Sequence, residues 1–171
     1  MDDWQSDKEW SDRFIPAIKK IVGPLILTEA TIQEDREQNT DLIVLRADSI
    51  RIACRVRKPG YFEKYGNDIT IRSSRKSGTE TELQKIIKGW GHMFFYAHSN
   101  KKQTDFSSWV LIDLSEFRLW LMRGIATSCG KIPGILKKNT DGSSDFYCFD
   151  YSKFPAGIVL AEAPKIIEEV A

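Results

Sequence analysis

Cysteine is scarce in this chain of 171 residues: Cys54, Cys129 and Cys148 are all there is. Three widely separated thiols with no Cys-x-x-Cys pair indicate neither a disulfide framework nor a zinc ribbon, so a reducing cytoplasm is the expected compartment. Long apolar runs are missing, which excludes a membrane-spanning helix. Met1 is followed by Asp2, Asp3 and Trp4, the opposite of the basic start of a secretory signal. An excess of either charge is missing too. With 25 Lys and Arg against 24 Asp and Glu, nothing draws the whole molecule to a polyanion, and any nucleic-acid surface has to arise from local clustering. The patterns Gly-x-x-x-x-Gly-Lys-Ser/Thr, His-Glu-x-x-His and Gly-x-Ser-x-Gly do not occur, which leaves nucleotide hydrolysis, zinc peptidase and serine hydrolase chemistry without support. Histidine is sparse as well. His92 and His98 flank an apolar strand without acidic neighbours and read as ordinary edge residues.

What is present suits one globular domain over residues 1–171, with 42% hydrophobic and 29% charged residues and enough chain to bury a core. Apolar residues at helical spacing predict a helix ending at Val22, with Ser11 as N-cap and Pro16 in the first turn. "LILTEATI" predicts a short strand and Leu42 to Leu45 a second one. From Ile50 to Arg57 the pattern alternates. Ile52, Cys54 and Val56 are expected to face the core, while Arg55 and Arg57 project side by side from the other face. "DITIRS" predicts a strand with Thr70 and Arg72 on one face. "SGTETELQKIIKG" predicts a helix with a Thr79–Glu82 capping box that ends at Gly89, followed by a tight turn that packs Trp90 on the core. "MFFYAH" and "WVLIDL" predict strands, "SEFRLWLMRGI" a helix capped by Ser115, and Asp141-Gly142 a turn leading into the strand "DFYCFDY". The order describes a mixed α+β (α/β) fold, a central mixed sheet flanked by helices.

Charge is segregated along the chain. Arg51, Arg55, Arg57, Lys58, Lys64, Arg72, Arg75 and Lys76 stand against Glu63 and Asp68, with Tyr61, Phe62 and Tyr65 interleaved. Just upstream, Glu29, Glu34, Asp35, Glu37 and Asp41 stand against Arg36. Carboxylates can hold Mg²⁺, cations can bind phosphate, and aromatic rings can stack on unpaired bases. The plainer reading is a pair of solvated faces. For Arg55 and Arg57, likewise, a phosphate clamp stands beside a salt-bridge network with Asp41, Asp35 or Glu29.

The segments "TDLIVL", "IACRVRKPGY", "DITIRS", "SGTETELQKIIKGWG" and "FFYAH" resemble the PD-(D/E)xK nuclease superfamily and proteins encoded by bacteriophages and prophages. The resemblance covers about residues 28–121. It implies a restriction-endonuclease-like core and metal-dependent hydrolysis of DNA, by a deoxyribonuclease in which Asp41, Glu29 and Asp35 hold Mg²⁺ or Mn²⁺ and act with Arg57. Asp41 matches the strand acid, on a strand neighbouring the one that carries Arg55 and Arg57. Glu29, Glu34 or Asp35 serves as the upstream acid. Arg51, Arg55, Arg57, Lys58, Arg72, Arg75 and Lys76 would contact the DNA. Arg55 stands where the second acid of the motif belongs and Arg57 where its lysine belongs. A guanidinium in a carboxylate's place repels a divalent ion. Either Asp68 or Glu82 completes the site, or the fold is catalytically inactive and binds nucleic acid or a protein partner, with a second copy of the chain among the possible partners.

Overall fold

The computed structural model describes the backbone of residues 3–25, 27–29, 42–44 and 50–163. The chain forms two compact units, Met1–Ile50 and Arg51–Ala171. In the first, helix α1 (Asp3–Asp12) precedes α2 (Ile15–Val22). Pro16 falls in the first turn of α2, where its missing N–H had no partner to lose. The N-cap is Phe14 rather than Ser11, because the backbone carbonyl of Ser11 closes a turn onto the Phe14 amide at 3.1 Å. Phe14, Ile18 and Val22 recur every fourth residue and are buried, the apolar stripe of an amphipathic helix. Strand β1 (Leu27–Glu29) pairs antiparallel with β2 (Leu42–Val44).

The second unit holds two sheets. Strand β3 (Ile52–Arg57) lies parallel to β5 (Met93–Ser99), which pairs antiparallel with β6 (Phe106–Asp113), and β6 with β9 (Val159–Glu162). A parallel pair needs a long crossover. Here it consists of helix α3 (Tyr61–Tyr65), strand β4 (Asp68–Arg72) and helix α4 (Glu82–Ile87), so β4 leaves the first sheet and founds the second. It pairs with β8 (Asp145–Asp150), which in turn pairs with β7 (Ile135–Lys138), all antiparallel. The 14-residue helix α5 (Leu114–Thr127) follows β6 directly. Side chains from both sheets and both longer helices meet in one core: Ile69 and Ile71, Leu83 and Ile86, Phe94 and Tyr96, Val110 and Ile112, Phe117 and Leu121, and Phe149. This is the mixed α+β architecture, strands in sheets flanked by helices, that the sequence pattern predicts. Among the described residues no helix is long and apolar enough to cross a membrane.

Several local expectations shift. The capping box of α4 is Thr81 with Gln84, two residues beyond Thr79 and Glu82. Asp113, not Ser115, caps α5: its Oδ1 accepts from the amides of Ser115 at 2.7 Å and Glu116 at 3.2 Å. Trp90 does not pack on the core. Gly89 and Gly91 both adopt positive φ, 90° and 76°, and the turn they make leaves the indole 59% exposed. The Asp141-Gly142 turn joins β7 to β8 as expected. Every residue of β7 is exposed, and among the described residues the strand forms the outer edge of its sheet. All three cysteines are free.

Candidate functional site

Strand register decides which residues meet. The parallel β3–β5 pairing sets Arg55 beside Tyr96 and Arg57 beside His98, and the antiparallel β5–β6 pairing sets Tyr96 opposite Val110 and His98 opposite Ser108. One face of the sheet therefore runs from an apolar row, Ala53–Phe94–Ile112, through Arg55–Tyr96–Val110, to a polar row, Arg57–His98–Ser108. The alternation read from β3 holds, but neither side is wholly inward: Ile52 and Val56 are half-buried on one face, and Ala53 on the other is exposed. Arg55 and Arg57 are half-buried on the face shared with Phe94 and Tyr96, whereas Cys54, expected in the core, is exposed.

Burying a guanidinium demands partners, and Arg55 has them. Its Nη1 donates to the carbonyl oxygen of Thr70 at 2.9 Å and to Thr70 Oγ1 at 3.4 Å, and its Nη2 to Glu82 Oε1. Glu82 Oε2 accepts the backbone amide of Arg72 at 3.1 Å. One carboxylate thus ties α4 to both β3 and β4. Burial holds the Arg55 guanidinium below its ordinary pKa, Glu82 and Tyr96 oppose this, and the nearby Arg57 and Arg72 charges add to it.

His98 is a correction to the edge residue expected from the sequence. It is 3% exposed, its Nδ1 lies 3.0 Å from Ser108 Oγ, and its ring contacts Phe62 and Tyr96. Burial, helped by Arg57 and opposed by Glu63, lowers its pKa to about 4, so at neutral pH it is an uncharged wall. The Tyr96 hydroxyl lies 3.2 Å from Thr70 Oγ1, and burial raises its pKa.

Above this floor lies a cleft of about 430 Å³. Arg57, Tyr61 and Tyr65 line it from the β3–α3 side, Asp68, Thr70, Phe146 and Cys148 from β4 and β8, and Lys137, Lys138, Asn139 and Thr140 from β7 and its turn. The Arg57 guanidinium sits 4.6 Å from the Tyr61 ring centre. Tyr61 and Tyr65, four apart on one helix face, have ring centres 5.6 Å apart. Three cations face one carboxylate, Asp68, whose pKa is raised by burial and by Asp150 directly across the β4–β8 pair.

The residues singled out in the sequence are only partly gathered here. Arg55, Arg57 and Arg72 converge around a smaller cavity of about 40 Å³. Arg51 does not join them. It precedes the far end of β3, roughly 13 Å from Arg55 and roughly 20 Å from Arg57 at strand rise, and stands 5.9 Å over the Trp90 ring. Lys58 and Lys76 are exposed and line neither space, and neither does Arg75, whose Nε is buried without a hydrogen-bond partner. Asp41, Asp35 and Glu34 lie outside the described residues, and Glu29 ends β1 in the other unit. The neighbouring strands expected for Asp41 and the arginines pair otherwise among the described residues: β2 with β1, and β3 with β5. Lys137, Lys138 and Asn139 line the cleft as well, beyond the residues expected from the sequence. The signal available was a lysine pair immediately before an Asn-Thr-Asp-Gly turn, which fixes both at the end of a hairpin strand.

For Mg²⁺ or Mn²⁺, among the described residues no group of three or more His, Cys, Asp or Glu is placed to hold a metal ion. Glu82, expected as one way to complete a metal site, is engaged by Arg55 and the Arg72 amide. The donors gathered here are cationic and do not suit a divalent cation. They suit an anion bearing something flat, because cations and stacking rings share one wall. No protein-family model, no curated protein and no solved structure matches this chain.

Proposed function

We propose that the chain binds nucleic acid, with the backbone of a strand held by Arg57, Lys137 and Lys138 and an unpaired base lying against Tyr61 and Tyr65. The observation that carries this reading is the convergence of those five side chains on one cleft. The resemblance of "TDLIVL" and "IACRVRKPGY" to PD-(D/E)xK nucleases supports DNA as the nucleic acid. Stacking favours single-stranded or locally opened DNA, since a paired base offers no free face. A metal is not needed for this grip. Hydrolysis by Asp41, Glu29 and Asp35 with Mg²⁺ or Mn²⁺ is the second reading, favoured by the strand acid that "TDLIVL" supplies.

One experiment separates them. Labelled single-stranded, duplex and branched DNA are incubated with wild type, Tyr61→Ala and Asp41→Ala, in EDTA or in Mn²⁺. The binding reading expects affinity for strands with free bases that survives EDTA and weakens in Tyr61→Ala. No affinity at low salt overturns it. Metal-dependent cleavage lost in Asp41→Ala instead establishes the hydrolytic reading.

A further inference from the structure

Three guanidiniums share a space too small for a nucleotide. Arg55, Arg57 and Arg72, with Thr70, Asn139, Ser144 and the ring of Phe146, line the cavity of about 40 Å³, room for roughly three waters or for the free oxygens of one phosphoryl group in their place. The cavity shares Arg57, Thr70, Asn139 and Phe146 with the larger cleft, so the two adjoin.

Charge sharpens the assignment. Glu82 pairs with Arg55, and among the described residues neither Arg57 nor Arg72 has an ion pair, which leaves two positive charges in surplus. Arg57 and Arg72 are close enough to act on the Arg55 charge. Like charges held together in a half-buried space are relieved by an anion between them. An internal phosphodiester carries one negative charge and must continue in both directions, which a pocket of this size does not allow. A terminal phosphomonoester carries nearly two negative charges at neutral pH, offers three free oxygens and continues in one direction only.

We propose that this cavity is a subsite for the terminal phosphate of a nucleic-acid strand whose adjoining nucleotides lie in the larger cleft. The proposal rests on the nucleic-acid reading above and makes the protein a binder of strand ends. Arg72 and Arg57 grip the phosphate, while Arg55, held by Glu82, supplies a fixed third charge.

The test uses the full chain and internally labelled single strands of one sequence ending in a 5′-phosphate, a 3′-phosphate or hydroxyls only. One phosphorylated end is expected to bind about tenfold more tightly than the hydroxyl-ended strand, the size of one charge-assisted contact set. Which end it is identifies the polarity. Arg72→Gln, which alters the small cavity and not the lining of the larger cleft, is expected to abolish the difference between ends. Equal affinity for all three strands overturns the subsite and leaves the nucleic-acid reading standing, whereas no binding of any strand at low salt overturns both. A preference that survives in Arg72→Gln overturns the assignment to this cavity. The comparison of ends needs wild type alone, so it is decided even if the variant fails to fold.

Discussion

His98 carries a pH dependence whose direction follows from its burial. Its pKa in the folded chain is about 4, below the ordinary value of 6.5, so the unfolded chain binds the proton more readily. The stability this contributes is fully present above pH 6.5, is lost as pH falls toward 4 and changes no further below that. The size is on the order of 3 kcal/mol. Urea unfolding of wild type between pH 7 and pH 4 is expected to show this loss, and His98→Asn a flatter profile over the same interval. A profile unchanged by the substitution would assign the acid sensitivity to other groups. Glu82 poses the complementary case. With its side chain 34% exposed and that of Arg55 16% exposed, Glu82→Gln is expected to cost about 2 kcal/mol, less than a fully buried pair because water reaches the carboxylate. Adding Arg55→Met should recover part of that cost, because it removes the orphaned charge, and chemical unfolding of both variants measures the recovery.

At the scale of elements, a helix start shows how local chemistry separates two adjacent candidates. Asp113→Ala removes the acceptor of two amides of α5 and is expected to cost about 1 kcal/mol. Ser115→Ala should cost no more than about 0.5 kcal/mol, so thermal unfolding of the two variants distinguishes the observed cap from the one the sequence suggests. The same contrast explains what was readable in advance. Strands β1 to β6 and β8, helices α2, α4 and α5 and the Pro16 first turn were legible because each follows from periodicity or from a backbone constraint within a few residues, whereas α1, β7 and β9 carry no such pattern. The burial of the arginine face of β3 was not legible. Apolar Ile52, Cys54 and Val56 argue for a core on their own face alone, but Thr70, Glu82 and Tyr96, brought from three other elements, let Arg55 and Arg57 be half-buried as well. Lys137 and Lys138 escaped for a related reason: their cleft exists only once β7 has paired with β8 and that sheet has closed over the β3–β5 face.

For the whole molecule, a net charge of +1 means that any affinity for a polyanion depends on position rather than total charge. Binding of single-stranded DNA should weaken with salt in proportion to the phosphates neutralised. Replacing both Lys137 and Lys138 by Gln is expected to reduce the slope of log affinity against log salt by about 1.4, the loss of two phosphate contacts. Replacing the distant Arg51 should leave that slope unchanged. Titrations at several salt concentrations check both, and equal slopes for the lysine variant and wild type would remove those lysines from the contact.

Those two lysines also end a strand whose outer backbone groups are unpaired among the described residues and whose Ile135 and Leu136 are 63% and 50% exposed. An open apolar edge invites a second chain to add itself as another strand, and flanking charge is the usual deterrent. On the proposed reading the pair serves twice: neutralising it is expected to weaken binding of phosphate and to make the edge adhesive in the same step. Keeping the lysines would then guard the edge against pairing with a second chain even where no nucleic acid is bound.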